Sequence, residues 1–286
     1  MYAEFYICNM LDEIIRNALQ EDIGSGDFST LSCVPKEAKG SAQLIVKENG
    51  VLAGIEVAKR IYEIYDPSLS FEVLKFDGNS VKKGDIAFRV TGSSQAILTT
   101  ERLVLNCLQR MSGIATLTAK IKKEIEGSSS IILDTRKTTP GIRFLEKWAV
   151  KIGGGQNHRF GLYDMIMLKD NHIDYAGGIT AAIQRTKAFL ISTNKDLKIE
   201  IEVRNTKELE EVLRVGGVDR IMLDNFSPEN LKEALKIIPS TYETEASGGI
   251  TLENIRAYAD TNVNYISVGA LTHSLKSLDL SLKATF

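Results

Sequence analysis

The 286-residue chain carries 35 Lys and Arg against 37 Asp and Glu, a formal net charge of −2, with 43% hydrophobic and 25% charged residues. That length supports one large domain, or a large one with a small one, and the composition is that of an ordinary soluble globular protein. The near-neutral balance excludes a global positive field for nucleic acid or an anionic membrane, so a local basic cluster suits a small, multiply anionic ligand.

Cys8, Cys33 and Cys107 show no metal-ligand spacing, and their odd count speaks against a disulfide framework. The opening MYAEFYICNMLDEIIRNALQ has acids where a signal peptide needs a basic start. No stretch approaches about 18 uninterrupted apolar residues. A cytoplasmic setting is the expectation.

In chain order, Leu11, Ile14, Ile15, Ala18 and Leu19 share the face of an amphipathic helix over 10–20, broken at Gly24-Ser25-Gly26-Asp27. A strand SAQLIVKE, an Asn49-Gly50 turn, a helix VAKRIYEIY and strands FEVLKF and IAFRVTG follow. Together they predict a small α+β unit with a mostly antiparallel sheet. From Gln95 to about Glu126 the pattern is helical, with an interruption expected at Ser112-Gly113.

The rhythm then changes to one repeated unit. Apolar strands at 131–133, 165–168, 199–203, 220–223, 242–246 and 265–268 each end in a polar tip followed by a helix-patterned segment. Helices are expected at 141–151, 177–191, 206–215, 228–237 and 251–259, with caps at Thr206, Ser227-Pro228 and Thr251. Such βα units predict an incomplete TIM-like α/β barrel, with a doubly wound open sheet as the alternative. The expected domains are residues 1–110, joined by the tail 274–286, and a barrel over 111–273.

Parallel strands gather their C-terminal tips at one end, where barrel enzymes work. The tips offer Asp134, Thr135, Arg136 and Lys137; Lys169, Asp170, Asn171 and His172; Glu202 and Arg204; Asp224 and Asn225; Ser247, Gly248 and Gly249; and Gly269 and Ala270. Gly153-Gly154-Gly155 with Asn157, His158 and Arg159 precedes the second strand and could fold over the same mouth. The cations suit carboxylates, and Glu202 with Asp224 suits ribose hydroxyls or a hydrated Mg²⁺. The small residues before helix starts suit phosphate. Spacings for zinc (HxH, HExxH) and the GxSxG nucleophile turn are absent from the sequence.

The run DTRKTTPG…LEKWAVKIGGGQNHRFGLYDMIMLKDNHI resembles the signature of the quinolinate phosphoribosyltransferase family. EDIGSGDFST, ERLVLNCLQRMSGIAT, IEIEVRN, IMLDNFSPEN, EASGGIT and ISVGALTHS extend the likeness over nearly the whole chain. The resemblance implies a smaller N-terminal α/β sandwich domain before the barrel, and a homodimer or higher oligomer with shared active sites. The implied activity is decarboxylating transfer from 5-phosphoribosyl diphosphate to quinolinate in NAD synthesis, with Mg²⁺.

By motif position, Arg102 is implied to reach the neighbouring subunit's site, and Thr135, Arg136, Lys137, His158, Arg159 and Lys169 to surround quinolinate and diphosphate. Glu202 and Asp224 are implied to contact the ribose or its metal, directly or through water or substrate. Ser247, Gly248, Gly249, Ser267, Gly269 and Ala270 are implied around the 5′-phosphate. Lys137, Lys169, Glu202 and Asp224 carry the expected catalytic roles. A phosphoribosyltransferase for another aromatic acid and a non-catalytic phosphate-binding barrel are the alternatives.

Overall fold

A computed structural model describes the backbone of residues 2–285 and the side chains of residues 9–285, so the Cys8 thiol lies outside the described residues. Contacts divide the chain into two units, one of Met1–Ala119, Thr138–Gly154 and Leu271–Phe286, the other of Lys120–Lys137 and Gly155–Ala270. The expected boundary at 110/111 therefore falls inside the first unit, and residues 138–154 group with that unit too. Among the described residues no helix is long and apolar enough to cross a membrane.

The first unit opens with helices α1 (Tyr2–Ile23) and α2 (Phe28–Cys33), the second unforeseen because a six-residue helix carries too few turns to show a period. Asp27 caps α2, accepting from Thr30 N at 3.0 Å. Strands β1 (Lys39–Val46) and β2 (Gly50–Val51), helix α3 (Ile55–Tyr65), and strands β3 (Ser70–Val73), β4 (Ser80–Val81) and β5 (Ile86–Ser93) follow. The larger sheet is antiparallel with order β12-β1-β5-β3, where β12 (Leu280–Thr285) comes from the far end of the chain. Tyr62, Phe71 and Phe88 pack ring against ring in the core of this unit.

Helix α4 runs unbroken over Ser94–Glu124, so the interruption expected at Ser112-Gly113 does not occur. These two small residues serve packing instead. Ser112 Oγ donates to Ala53 O at 3.1 Å and accepts from Ala53 N at 2.9 Å, and a Cβ on Gly113 would lie 2.5 Å from Lys276 O. Helix α5 (Arg143–Ile152) belongs to the same unit. Its buried Glu146 accepts from Arg110 and from Thr139 N, tying down the loop before α5.

The second unit holds β6 (Ile131–Leu133), β7 (Ile166–Leu168), α6 (Asp170–Ala176), α7 (Ile179–Thr193), β8 (Ile199–Val203), α8 (Thr206–Val215), β9 (Arg220–Asp224), α9 (Pro228–Ile237), β10 (Glu243–Ser247), α10 (Ile255–Ala259) and β11 (Tyr265–Ser267). A four-residue α11 (Ala270–His273) follows it. The six strands are all parallel, in the order β6-β11-β10-β9-β8-β7. Because the first strand pairs with the last and β7 to β11 run in simple sequence, this is an incomplete barrel, not a doubly wound sheet with a mid-sheet reversal. Gln156 pairs beside β6, donating its N–H to Ile132 O at 2.9 Å and accepting from Asp134 N at 3.2 Å.

Side chains alternate along these strands, so Ile199, Ile201 and Val203 present one apolar face while Glu200 and Glu202 share the other. The register sets Glu200 beside Arg220, Arg220 beside Glu243, and Asp224 beside Ser247 on that same face. The barrel interior is therefore unusually polar.

Candidate active site

Because the six strands run parallel, their tips meet at one end of the second unit. Thr135, Arg136 and Lys137 follow β6, Lys169 follows β7, Glu202 precedes the last residue of β8, Asp224 closes β9, Ser247 closes β10 and Ser267 closes β11. Among the predicted residues of this unit, Lys169, Glu202 and Asp224 form the most defined group.

Lys169 Nζ lies 3.2 Å from Glu202 Oε2, with the lysine side chain 48% exposed and the glutamate 8%. Burial raises the Glu202 carboxyl above its ordinary range, against the pull of Lys169, and the charge of Asp224 raises it further. Burial likewise raises Asp224, while Lys169 and hydrogen bonds from Asn225 and Ser247 oppose it. Asn225 Nδ2 donates to Asp224 Oδ2 at 2.6 Å from a left-handed backbone, φ 56°. Gly248, φ 93°, sits tightly against Asn225, where a Cβ would come 2.2 Å from Asn225 Oδ1. Glycine there allows the two loops to touch.

On the cationic side, Arg136 and Arg159 are both partly buried. Burial pulls the Arg159 guanidinium below its ordinary pKa, and the like charge of Arg136 lowers it further. Two guanidinium groups within electrostatic reach of one another match a ligand bearing more than one carboxylate. Arg159 Nη1 also donates to Met165 O at 3.1 Å, which restrains its side chain. Lys137 is exposed, and its backbone N–H donates to Thr135 Oγ1 at 3.0 Å.

Asp134 serves the frame of the site. Fully buried, it accepts from Asn157 Nδ2 at 2.5 Å and from His158 N at 2.9 Å, fastening the segment after the three glycines to the β6 tip. His172 caps α6, its Nδ1 accepting from Lys169 N at 3.0 Å. His158 is buried, with Nδ1 accepting from Arg159 N at 2.7 Å and Nε2 3.0 Å from Glu200 Oε2. Both ring nitrogens thus face protein groups, the arrangement of a structural histidine.

The small-residue tips differ from expectation in their helices. After Ser247-Gly248-Gly249, α10 starts only at Ile255, not at 251. The Asn254 side chain accepts from Thr251 N at 2.8 Å and donates to Gly249 O at 3.0 Å, holding a turn where a helix was expected. Gly269 and Ala270 lead into the four-residue α11. Any phosphate contact here falls to individual loop amides, since neither helix is long enough to contribute a sizeable dipole. Ser267 is buried, its hydroxyl donating to Ala246 O at 3.4 Å. Arg102 is exposed on α4 of the first unit.

Glu200, Arg220 and Glu245 escaped the sequence reading. For Glu200 the signal was the strict alternation in IEIEV, which in a strand buried along its whole length requires charged side chains inside the barrel; Arg220 and Glu245 come from the neighbouring strands β9 and β10.

Comparison with known proteins places this geometry among relatives. Residues 114–283 match the quinolinate phosphoribosyl transferase C-terminal domain, and residues 27–112 match the N-terminal domain. A chloroplastic nicotinate-nucleotide pyrophosphorylase (carboxylating) from Oryza sativa subsp. japonica is 46% identical, over 96% of this chain and 77% of its own. A probable nicotinate-nucleotide pyrophosphorylase (carboxylating) from Bacillus subtilis is 42% identical, over 96% and 93%. The crystal structure of NadC from Streptococcus pyogenes superposes with a TM-score of 0.90 at 40% identity, covering 96% of each chain.

Proposed function

The chain belongs to the quinolinate phosphoribosyltransferase family, and from that premise we infer that it transfers the phosphoribosyl group of 5-phosphoribosyl diphosphate to quinolinate with loss of CO₂. The products are nicotinate mononucleotide, diphosphate and CO₂, a step of NAD synthesis. The observation that carries the reading is the pairing, at one barrel mouth, of the Arg136 and Arg159 guanidinium groups with the Lys169–Glu202–Asp224 cluster. Two cations answer a dicarboxylate, and two acids answer a polyhydroxyl sugar.

Arg136 and Arg159 hold the quinolinate carboxylates and orient the ring nitrogen toward C1 of the ribose. The nitrogen bonds to C1 as the C1–O bond breaks, and diphosphate leaves with that electron pair. Lys137 and Lys169 stabilise the departing anion, a task of charge and positioning rather than covalent catalysis. Glu202 and Asp224 bind the ribose hydroxyls and complement the positive charge that develops on the sugar. The ribosylated nitrogen is then cationic and serves as an electron sink. The adjacent carboxylate departs as CO₂, the bonding pair stays on the ring carbon, and solvent supplies its proton.

The all-oxygen donor set of Glu202 and Asp224, with the charge of one raising the carboxyl of the other, fits a hydrated Mg²⁺. Such an ion, held by these two residues directly or through water, would neutralise charge on the diphosphate. Gly248, Gly249, Gly269 and Ala270 offer backbone amides, and Ser247 and Ser267 hydroxyls, to the 5′-phosphate region.

A homodimer with shared sites also belongs to this reading, Arg102 of each subunit completing the quinolinate site of the other. Arg102→Ala and Lys169→Ala proteins, each inactive, should partly recover activity after subunit exchange; no recovery despite proven exchange contradicts sharing. For the reaction itself, purified protein with 5-phosphoribosyl diphosphate and Mg²⁺ should consume quinolinate and leave nicotinate untouched. Turnover of nicotinate alone overturns the assignment.

A further inference from the structure

Beneath the mouth, inside the barrel, lies a second charged cluster that the reaction does not directly use. Glu200 and Glu245 are fully buried. His158 Nε2 lies 3.0 Å from Glu200 Oε2 and 3.5 Å from Glu245 Oε2. Arg220 Nη1 lies 3.0 Å from Glu245 and 3.8 Å from Glu200, while its Nη2 reaches Glu243 at 2.9 Å. The guanidinium also stacks 4.0 Å over the Tyr265 ring.

The three ligand-type atoms of His158, Glu200 and Glu245 fall within 4.8 Å of one another, close enough for a cation. Arg220 already sets a positive charge against both carboxylates, so the acids have their counter-ion. The output of the cluster is the ring of His158. Two acids, themselves paired with the Arg220 guanidinium, face its Nε2 edge, and its Nδ1 edge accepts from Arg159 N at 2.7 Å. With Asp134 accepting from His158 N at 2.9 Å, two consecutive amides of the segment that carries Arg159 are held.

We propose that Glu200, Glu245 and Arg220 are positioning residues: their buried ion network sets the His158 ring, and the ring sets the backbone from which Arg159 reaches the carboxylate site. This rests on the proposed reaction, in which Arg159 binds quinolinate. The Arg159 N–H needs a lone pair on Nδ1, so the proton the acids attract is held on the Nε2 side.

The test compares wild type, Glu245→Gln, Arg159→Ala and the double variant in steady-state turnover. In Glu245→Gln the KM for quinolinate should rise about tenfold, with kcat and the KM for 5-phosphoribosyl diphosphate little changed, as expected when one binding group is misplaced. Added to Arg159→Ala, the substitution should cost nothing further, because both act through one guanidinium. Equal rises in both KM values, full additivity, or no effect at all overturns the proposal.

Should Glu245→Gln fail to fold, ¹⁵N-histidine NMR of the wild type decides, with only His158, His172 and His273 to resolve. His158 should show a protonated Nε2 and a bare Nδ1; the reverse tautomer, or a proton on both nitrogens, overturns the proposal. Wild type that does not turn over quinolinate contradicts the proposed reaction instead, and the tautomer still tests the network.

Discussion

Glu200 and Glu202 stand two residues apart on β8 and share its inner face, yet their surroundings give them different work. Glu202 faces Lys169, whose side chain is half exposed, so that its charge has access to water. Glu200 faces His158 and Arg220, side chains almost wholly withdrawn from water. In the proposed reaction, one strand thus delivers a carboxylate to the chemistry and another to its support. Depth, more than residue type, separates a binding group from a brace, because a charge with access to water can exchange counter-ions cheaply while a buried one cannot.

That contrast predicts a graded set of outcomes. Lys169→Ala should lower kcat by about 10³-fold, the scale for losing an electrostatic group that acts on the transition state; steady-state rates decide, and a loss below tenfold would detach the mouth pair from catalysis. Glu200→Ala should destabilise the protein by about 3 kcal/mol or more in urea unfolding, by leaving a buried cation without one of its counter-charges. A cost under about 1 kcal/mol would contradict the tightly coupled network.

Glu202→Gln should behave oppositely, leaving stability within about 0.5 kcal/mol at neutral pH or raising it. Burial raises the Glu202 carboxyl above its usual 4.5, so the folded chain binds that proton more tightly than the unfolded one. Its penalty is absent below the ordinary glutamate range, grows as pH rises from there toward the folded pKa, and is complete once pH has passed it. The stability of Glu202→Gln relative to the natural chain should therefore increase from about pH 4 to about pH 7. Paired unfolding curves at the two values test this, and a flat difference contradicts it.

Much of the barrel was legible because buried parallel strands are short apolar runs ending in polar tips, as Met165 to Leu168 before Lys169 illustrates. The Ser227-Pro228 start of α9 was equally plain, Ser227 accepting from Asn230 N at 3.2 Å. Thr206 was one residue late, since Asn205 is the cap of α8. Helix α6 was hidden because Asp170-Asn171-His172 reads as a polar loop, and only the contact of His172 with Lys169 N reveals a helix start. Strand β12 had no local signature, because its partner β1 lies at the other end of the chain. The mouth could be inferred from charge at strand tips, but the interior network needed the register that sets Glu200 against Arg220 and Arg220 against Glu243.

The central claim is that a mouth built for a dicarboxylate ribosylates the ring nitrogen and thereby releases the carboxylate next to it. Quinolinate labelled with ¹³C in that 2-carboxylate tests it most directly. One labelled CO₂ should appear for each diphosphate released, with unlabelled nucleotide as the product; label retained in the nucleotide, or CO₂ without diphosphate, would contradict the account.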